Sequence, residues 1–112
     1  MSDLQLDLPQ GTLDLLVLKA LTWGPRHGYA IVRILEDRTG DRLRIEEGSL
    51  YPALYRMEGK GWIEAEWGES ELGRKAKFYA LTREGRQQLK RQVAHWRTVQ
   101  DAVSRVLRTE NA

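Results

Sequence analysis

The chain has no cysteine, which excludes disulfides, thiolate metal sites and cysteine nucleophiles together and fits a reducing compartment. It also has no long apolar run. The stretch "LLVL" at residues 15–18 falls far short of the roughly 20 residues that a membrane span needs. The opening "MSDLQLDLPQ" lacks both the basic segment and the apolar core of a secretory signal. A cytoplasmic protein with no membrane partner is expected. Histidine is scarce: His27 and His95 are the only two, and neither sits in a carboxylate–histidine spacing that would hold a metal. The sequence has no nucleophile–base pair, no Gly-rich phosphate loop and no paired carboxylates in an evident pocket. Enzymatic activity, metals and cofactors are therefore not expected. No internal repeat, low-complexity tract or linker divides the chain.

What is present is an ordinary globular composition. At 112 residues, 41% hydrophobic and 30% charged, the chain is the size of one domain with a modest core. The net charge of +2 hides an asymmetry. From residue 82 onward seven Lys/Arg face three acids, which gives +4, while residues 1–81 carry −2. Bulk charge alone decides nothing about partners.

Hydrophobic spacing orders the elements. Leu13, Leu16, Val17, Ala20 and Leu21 form the stripe of an amphipathic helix over Gly11 to Trp23. "WGPRHG" closes it, since Gly24 suits the position after a helix and Pro25 cannot continue one. A second helix over about His27 to Thr39 carries Ile31, Val32, Ile34 and Leu35, and Gly40 stops it. "DRLRIE" alternates and predicts a short strand with Leu43 and Ile45 facing inward.

The stretch "EEGSLYPALYRMEGKGW" predicts a third helix at about 48–60, with Leu50, Leu54 and Met57 buried. Ser49 is the expected N-cap, which puts Pro52 in the first turn, where a missing N–H costs nothing. Two alternating runs around "ESELGRK" predict a β-hairpin, with Ile63, Ala65 and Trp67 on one face and Trp62, Glu64 and Glu66 on the other. Thr82 then starts a long helix striped by Leu89, Val93, Trp96, Val99, Val103 and Leu107.

Three helices with a tight middle connection, then a hairpin, make a winged helix-turn-helix: a mainly α fold with a small β-hairpin (α+β), plus a long C-terminal helix. In such folds the later helix lays its first residues against base edges in the major groove. Gly48 would let backbone and duplex approach closely, Ser49 and Tyr51 offer hydroxyls, and Pro52 offers an apolar face to a thymine methyl. Tyr55 and Arg56 lie a turn further on, within reach of phosphate. Arg74, Lys75 and Lys77 on the hairpin could touch phosphate without reading sequence. His27 and Tyr29 begin the second helix, where phosphate contact and a structural role are both open. Each position also has a plainer use. Tyr51 and Tyr55 could cover the core, Ser49 could be a cap alone, Arg56 could be a solvated charge, and Trp23, Trp62 and Trp67 are most simply core or core-edge residues.

"HGYAIVRILE", "EEGSLYPALYRMEGKGWIEAEW" and "GRKAKFYALTREGRQQL" together resemble the PadR family of winged-helix transcriptional regulators, in its short single-domain form. The resemblance runs from about Leu8 to Leu89. It implies a homodimer that binds a double-stranded DNA operator and represses a neighbouring gene. Residues 1–82 would be the DNA-binding domain and 83–112 the dimerisation helix of the same compact unit. The chain departs from many members in carrying Lys75-Ala76 where they carry Pro-Arg. Dimerisation would fall to Leu13, Val17, Leu89, Val93, Trp96, Val99, Val103 and Leu107, an apolar stripe longer than one small domain can cover by itself. Trp96 would anchor that interface; its alternative use is to line, with its symmetry mate, a slot for a small planar aromatic effector. A winged-helix protein-interaction module without DNA binding is the alternative function, with the −2 of residues 1–81 as its support.

Overall fold

The computed structural model of the protein describes residues 9–108. The readings made for the first eight and last four residues, including the absence of a leader and the outer limits of the two segments, lie outside the described residues. Helix α1 (Gln10–Ala20) runs into a short 3-10 turn at Leu21–Trp23, which Gly24 ends with a φ of 122°. Strand β1 (Arg26–His27) leads directly into α2 (Gly28–Arg38). Helix α3 (Glu47–Gly59), strands β2 (Ile63–Glu69) and β3 (Lys75–Leu81) and the long α4 (Arg83–Leu107) follow within the described residues. Four helices and a three-stranded antiparallel sheet give the α+β winged-helix fold expected from the sequence.

The core forms where the stripes of α1, α2 and α3 converge on the base of the hairpin. Val17, Leu18, Ile31, Leu50, Leu54, Met57 and Ile63 are its largest fully buried side chains. Asp14 is buried among them, and its carboxylate takes a 2.6 Å hydrogen bond from Arg56 on α3. An ion cannot be left alone in such a place, so this pair fixes how α1 and α3 meet.

Two expected elements are corrected. Arg42–Ile45 is not a strand. The sheet order is β1-β3-β2, and the edge of β3 opposite β2 is taken at Phe78 and Tyr79 by Arg26–His27. The alternation was real as burial, since Ile45 is buried and Leu43 half-buried between exposed arginines. Side chains take the place of a ladder: Thr39 accepts from the Leu43 N–H at 3.2 Å. The third helix also begins earlier than expected. Its N-cap is Glu46, and Ser49 lies inside the helix, so Pro52 is an interior residue in the second turn. There its missing N–H leaves the exposed Gly48 carbonyl without its usual donor four residues on.

The hairpin and α4 meet at one tight joint. The Thr82 hydroxyl accepts from the Gly85 N–H at 3.0 Å, capping α4, and lies 2.6 Å from the Gly61 carbonyl and 3.0 Å from that of Trp62. Gly85 is buried against the Trp62 carbonyl so closely that a Cβ there would overlap it. Backbone on both sides leaves no room to relax. Gly85→Ala should therefore cost about 3 kcal/mol and lower Tm by roughly 10 °C or more, measured by calorimetry.

Candidate nucleic-acid interface

Period-3.6 burial of Leu50, Ala53, Leu54 and Met57 turns the opposite side of α3 outward. Gly48, Ser49, Tyr51, Pro52 and Tyr55 all lie on that exposed side. The two tyrosines differ. Tyr51 is 45% exposed and its phenol crosses the first residue of α2, so closely that a Cβ at Gly28 would sit 2.5 Å from the hydroxyl. Tyr55 is 81% exposed and stands clear. Glu46 and Glu47, also exposed, put negative charge at the same helix start, where they suit the helix dipole and oppose indiscriminate phosphate contact.

The hairpin sorts its charges by face. Trp67 pairs with Lys77, Glu69 with Lys75 and Ala65 with Tyr79, so these side chains share one face. Glu64 and Glu66 pair with Ala80 and Phe78 and belong to the other. The two acids thus leave the side that carries Lys75 and Lys77. Lys75 lies 5.3 Å from the ring centre of Trp67, and Lys77 lies 3.6 Å from Glu58 on α3. Arg74 is exposed at the turn, which Gly73 closes with a φ of 74°. Trp67, expected near the core, is 61% exposed, because the inward face of the hairpin leaves the body beyond Ala65.

Between this face, Tyr51 and the start of α2 runs a groove of about 820 Å³. Tyr29 and Arg33 form its α2 wall, with the Arg33 guanidinium donating to the Tyr29 hydroxyl at 3.3 Å. That contact first, and the Asp37 charge after it, pushes the arginine pKa higher still. Arg33 was missed in the sequence, although its spacing of four from Tyr29 marks the two as neighbours on one helix face.

Two of the expected phosphate contacts are engaged within the chain. Arg56 is turned toward Asp14, to which one end of its guanidinium donates at 2.6 Å. His27 is buried: its Nδ1 accepts from the Ala30 N–H at 3.2 Å, capping α2, and its ring meets Phe78 edge-on at 5.3 Å. Its Nε2 lies 3.3 Å from a carboxylate oxygen of Glu71, in the hairpin turn. Glu71 is held below the usual carboxylate range by its own backbone N–H first and by His27 second.

The expected dimerisation set divides in two. Leu13, Val17 and Leu89 are buried in the chain's own core and Val93 packs against it, so their apolar character is already satisfied. Trp96, Val99, Val103 and Leu107 are exposed, joined by Val106. Beside Trp96, a second groove of about 580 Å³ lies between the start of α1 and α4, lined by Thr12, Leu15, Gln92, His95 and Val99. The described residues contain no cluster of three metal-ligating side chains, and no described helix is long and apolar enough to cross a membrane.

Loss of Arg56 would strand the buried Asp14 carboxylate. Arg56→Ala should cost about 3–5 kcal/mol in urea unfolding, whereas Tyr55→Ala, on the open side of the same helix, should stay within about 0.5 kcal/mol.

The comparisons with known proteins agree with this arrangement. The family described as "Transcriptional regulator PadR-like family" matches residues 17–91. An uncharacterized protein of Lysinibacillus sphaericus is 33% identical over 97 residues, covering 87% of this chain and 89% of that one. A PadR family transcriptional regulator from Eggerthella lenta superposes with a TM-score of 0.77 at 36% identity, covering 90% of this chain and 86% of that one. A PadR-like transcriptional regulator from Bacillus cereus gives a TM-score of 0.76 at 31% identity, over 90% and 96% of the two chains. With the winged fold, the exposed side of α3 and the matched span all in accord, this chain belongs to the PadR-like family of transcriptional regulators.

Proposed function

We propose that the protein is a homodimeric, sequence-specific DNA-binding repressor of the cytoplasm. The start of α3 reads the major groove through Gly48, Ser49, Tyr51, Pro52 and Tyr55, and the hairpin acts as a wing that touches phosphate through Arg74 and Lys75. Lys77, shared with Glu58, and Tyr29, paired with Arg33, border the same surface. The observation that carries this reading is the sorting of charge on the wing: Lys75 and Lys77 face the groove beside α3, with Glu69 across from Lys75, while Glu64 and Glu66 face away. A chain with −2 over residues 1–81 can in this way still offer DNA a local positive surface.

In this reading, residues 1–82 form the DNA-binding unit and 83–112 the dimerisation helix. The first turns of α4 belong to the core through Leu89 and Val93. The pairing surface is therefore the part from Trp96 to Leu107. Its exposed apolar side chains lie along one face of a helix about 37 Å long, and a second copy covers them. The radius of gyration of 15.8 Å, against about 13 Å for a compact chain of this length, fits a helix that projects for such pairing. A two-fold axis there would present two α3 helices to half-sites about one turn of DNA apart. Trp96 anchors the pair. The groove beside it supports a second use, the seat of a small planar aromatic effector. A protein-interaction module without DNA binding draws its support from Glu46 and Glu47 at the start of α3.

Titration against the DNA upstream of its own gene, across a salt series and beside a scrambled duplex, tests the reading. Operator binding should exceed scrambled binding by about a thousandfold or more and fall steeply with salt. Tyr51→Ala combined with Pro52→Ala should cost at least about tenfold on the operator only. Equal weak binding to both duplexes, unaltered in the variant, would leave the interaction module. Val103→Glu should shift sedimentation from dimer to monomer while leaving the far-UV circular dichroism of the core helices in place, since Val103 is half exposed in the single chain.

A further inference from the structure

We propose that His27 and Glu71 form a latch that positions the wing for DNA, joining the wing turn to the start of α2. The inference rests on the DNA-binding reading above and deepens it.

His27 is only 7% exposed, and its surroundings assign its two nitrogens different tasks. Nδ1 accepts the Ala30 N–H, so it carries no proton of its own. In the neutral ring the proton then sits on Nε2, which donates to the Glu71 carboxylate 3.3 Å away. One side chain thus caps α2 and holds the wing. The ring cannot swing away: β1 pairs His27 with Phe78 in the sheet, and the Phe78 ring stands edge-on to the imidazole.

Glu71 occupies an unexpected place for a carboxylate. It lies in the turn three residues before Arg74, on the part of the wing that would approach phosphate. A negative charge there opposes DNA binding unless it does something else. Holding His27 is that other task. A second tie, Lys77 to Glu58, runs from the wing to α3. A two-stranded hairpin has little stiffness beyond its base, so these two ties determine how far Arg74 and Lys75 stand from the reading helix.

Removing the charge and removing the tie can be separated. Glu71→Gln keeps an acceptor for Nε2–H and loses the charge, whereas Glu71→Ala loses both. His27→Asn keeps a good N-cap and is too short to reach residue 71. Two measurements apply to each variant: trypsin cleavage of the DNA-free protein after Arg74 and Lys75, and operator affinity over a salt series. Glu71→Gln should bind at least as tightly as the unmodified chain and resist trypsin equally. Glu71→Ala should be cleaved several-fold faster and bind about fivefold more weakly than Glu71→Gln. In trypsin cleavage His27→Asn should match Glu71→Ala, and combining the two should add nothing further; on the operator His27→Asn, which leaves the Glu71 charge untied, should bind no more tightly than Glu71→Ala.

Glu71→Ala behaving like Glu71→Gln in both measurements would overturn the latch, as would fully additive effects of the double variant on trypsin cleavage. Because Glu71 is exposed, its two variants decide the matter even where His27→Asn fails to fold. If the unmodified chain shows no operator preference while Glu71→Ala still opens the wing to trypsin, the DNA role is overturned and the tie itself is retained.

Discussion

The architecture depends on β3 having both of its edges occupied. β2 lies along the whole of one edge, and the two residues of β1 pair with Phe78 and Tyr79 on the other. That pairing brings His27 to the start of α2 and fixes where the first helical turn begins. Arg42–Ile45 is not part of the sheet and runs as a loop between α2 and α3. The far end of the same strand delivers Thr82 to the Gly61 and Trp62 carbonyls, from which α4 departs. A segment of seven residues therefore sets the placement of α2, the hairpin and α4.

Electrostatics in this chain is a matter of placement and not of total. Period-2 geometry in the hairpin separates Glu64 and Glu66 from Lys75 and Lys77 although they lie on paired strands. Three acids stand nearer the lysines, each with a partner: Glu69 sits across from Lys75, Glu58 lies by Lys77, and Glu71 is held by its own backbone and by His27. Glu46 and Glu47 alone stand exposed at the start of α3. For a nucleic-acid binder, such acids weaken contact with phosphate in general and leave the choice of site to short-range contacts.

Much of this was legible in the sequence, and the failures share a cause. Periodicity located all four helices and the hairpin, because burial on one face repeats along a segment. It could not find β1, whose two residues are too few for any period. It read the alternation at Leu43 and Ile45 correctly as burial and wrongly as pairing. Pairing across the fold left no local sign. Arg56 finds Asp14 forty-two positions away and His27 finds Glu71 forty-four away, so the sequence showed neither partner and left the role of each side chain open. An apolar stripe also does not say what covers it: Leu13 and Val17 turn to the chain's own core, Val103 and Leu107 to solvent. The proline of α3 was judged by the rule for helix starts, and the helix began two residues sooner than Ser49.

The register of the hairpin also limits how its length can vary. The faces alternate residue by residue from a base pinned by Ile63 and Leu81, both buried. One residue inserted between Leu81 and Lys77 would turn both lysines to the side now held by Glu64 and Glu66. Two inserted residues would restore them, at a greater distance from the body. The wing therefore tolerates length changes by parity: even steps alter only its reach, while odd steps reverse its electrostatic sign.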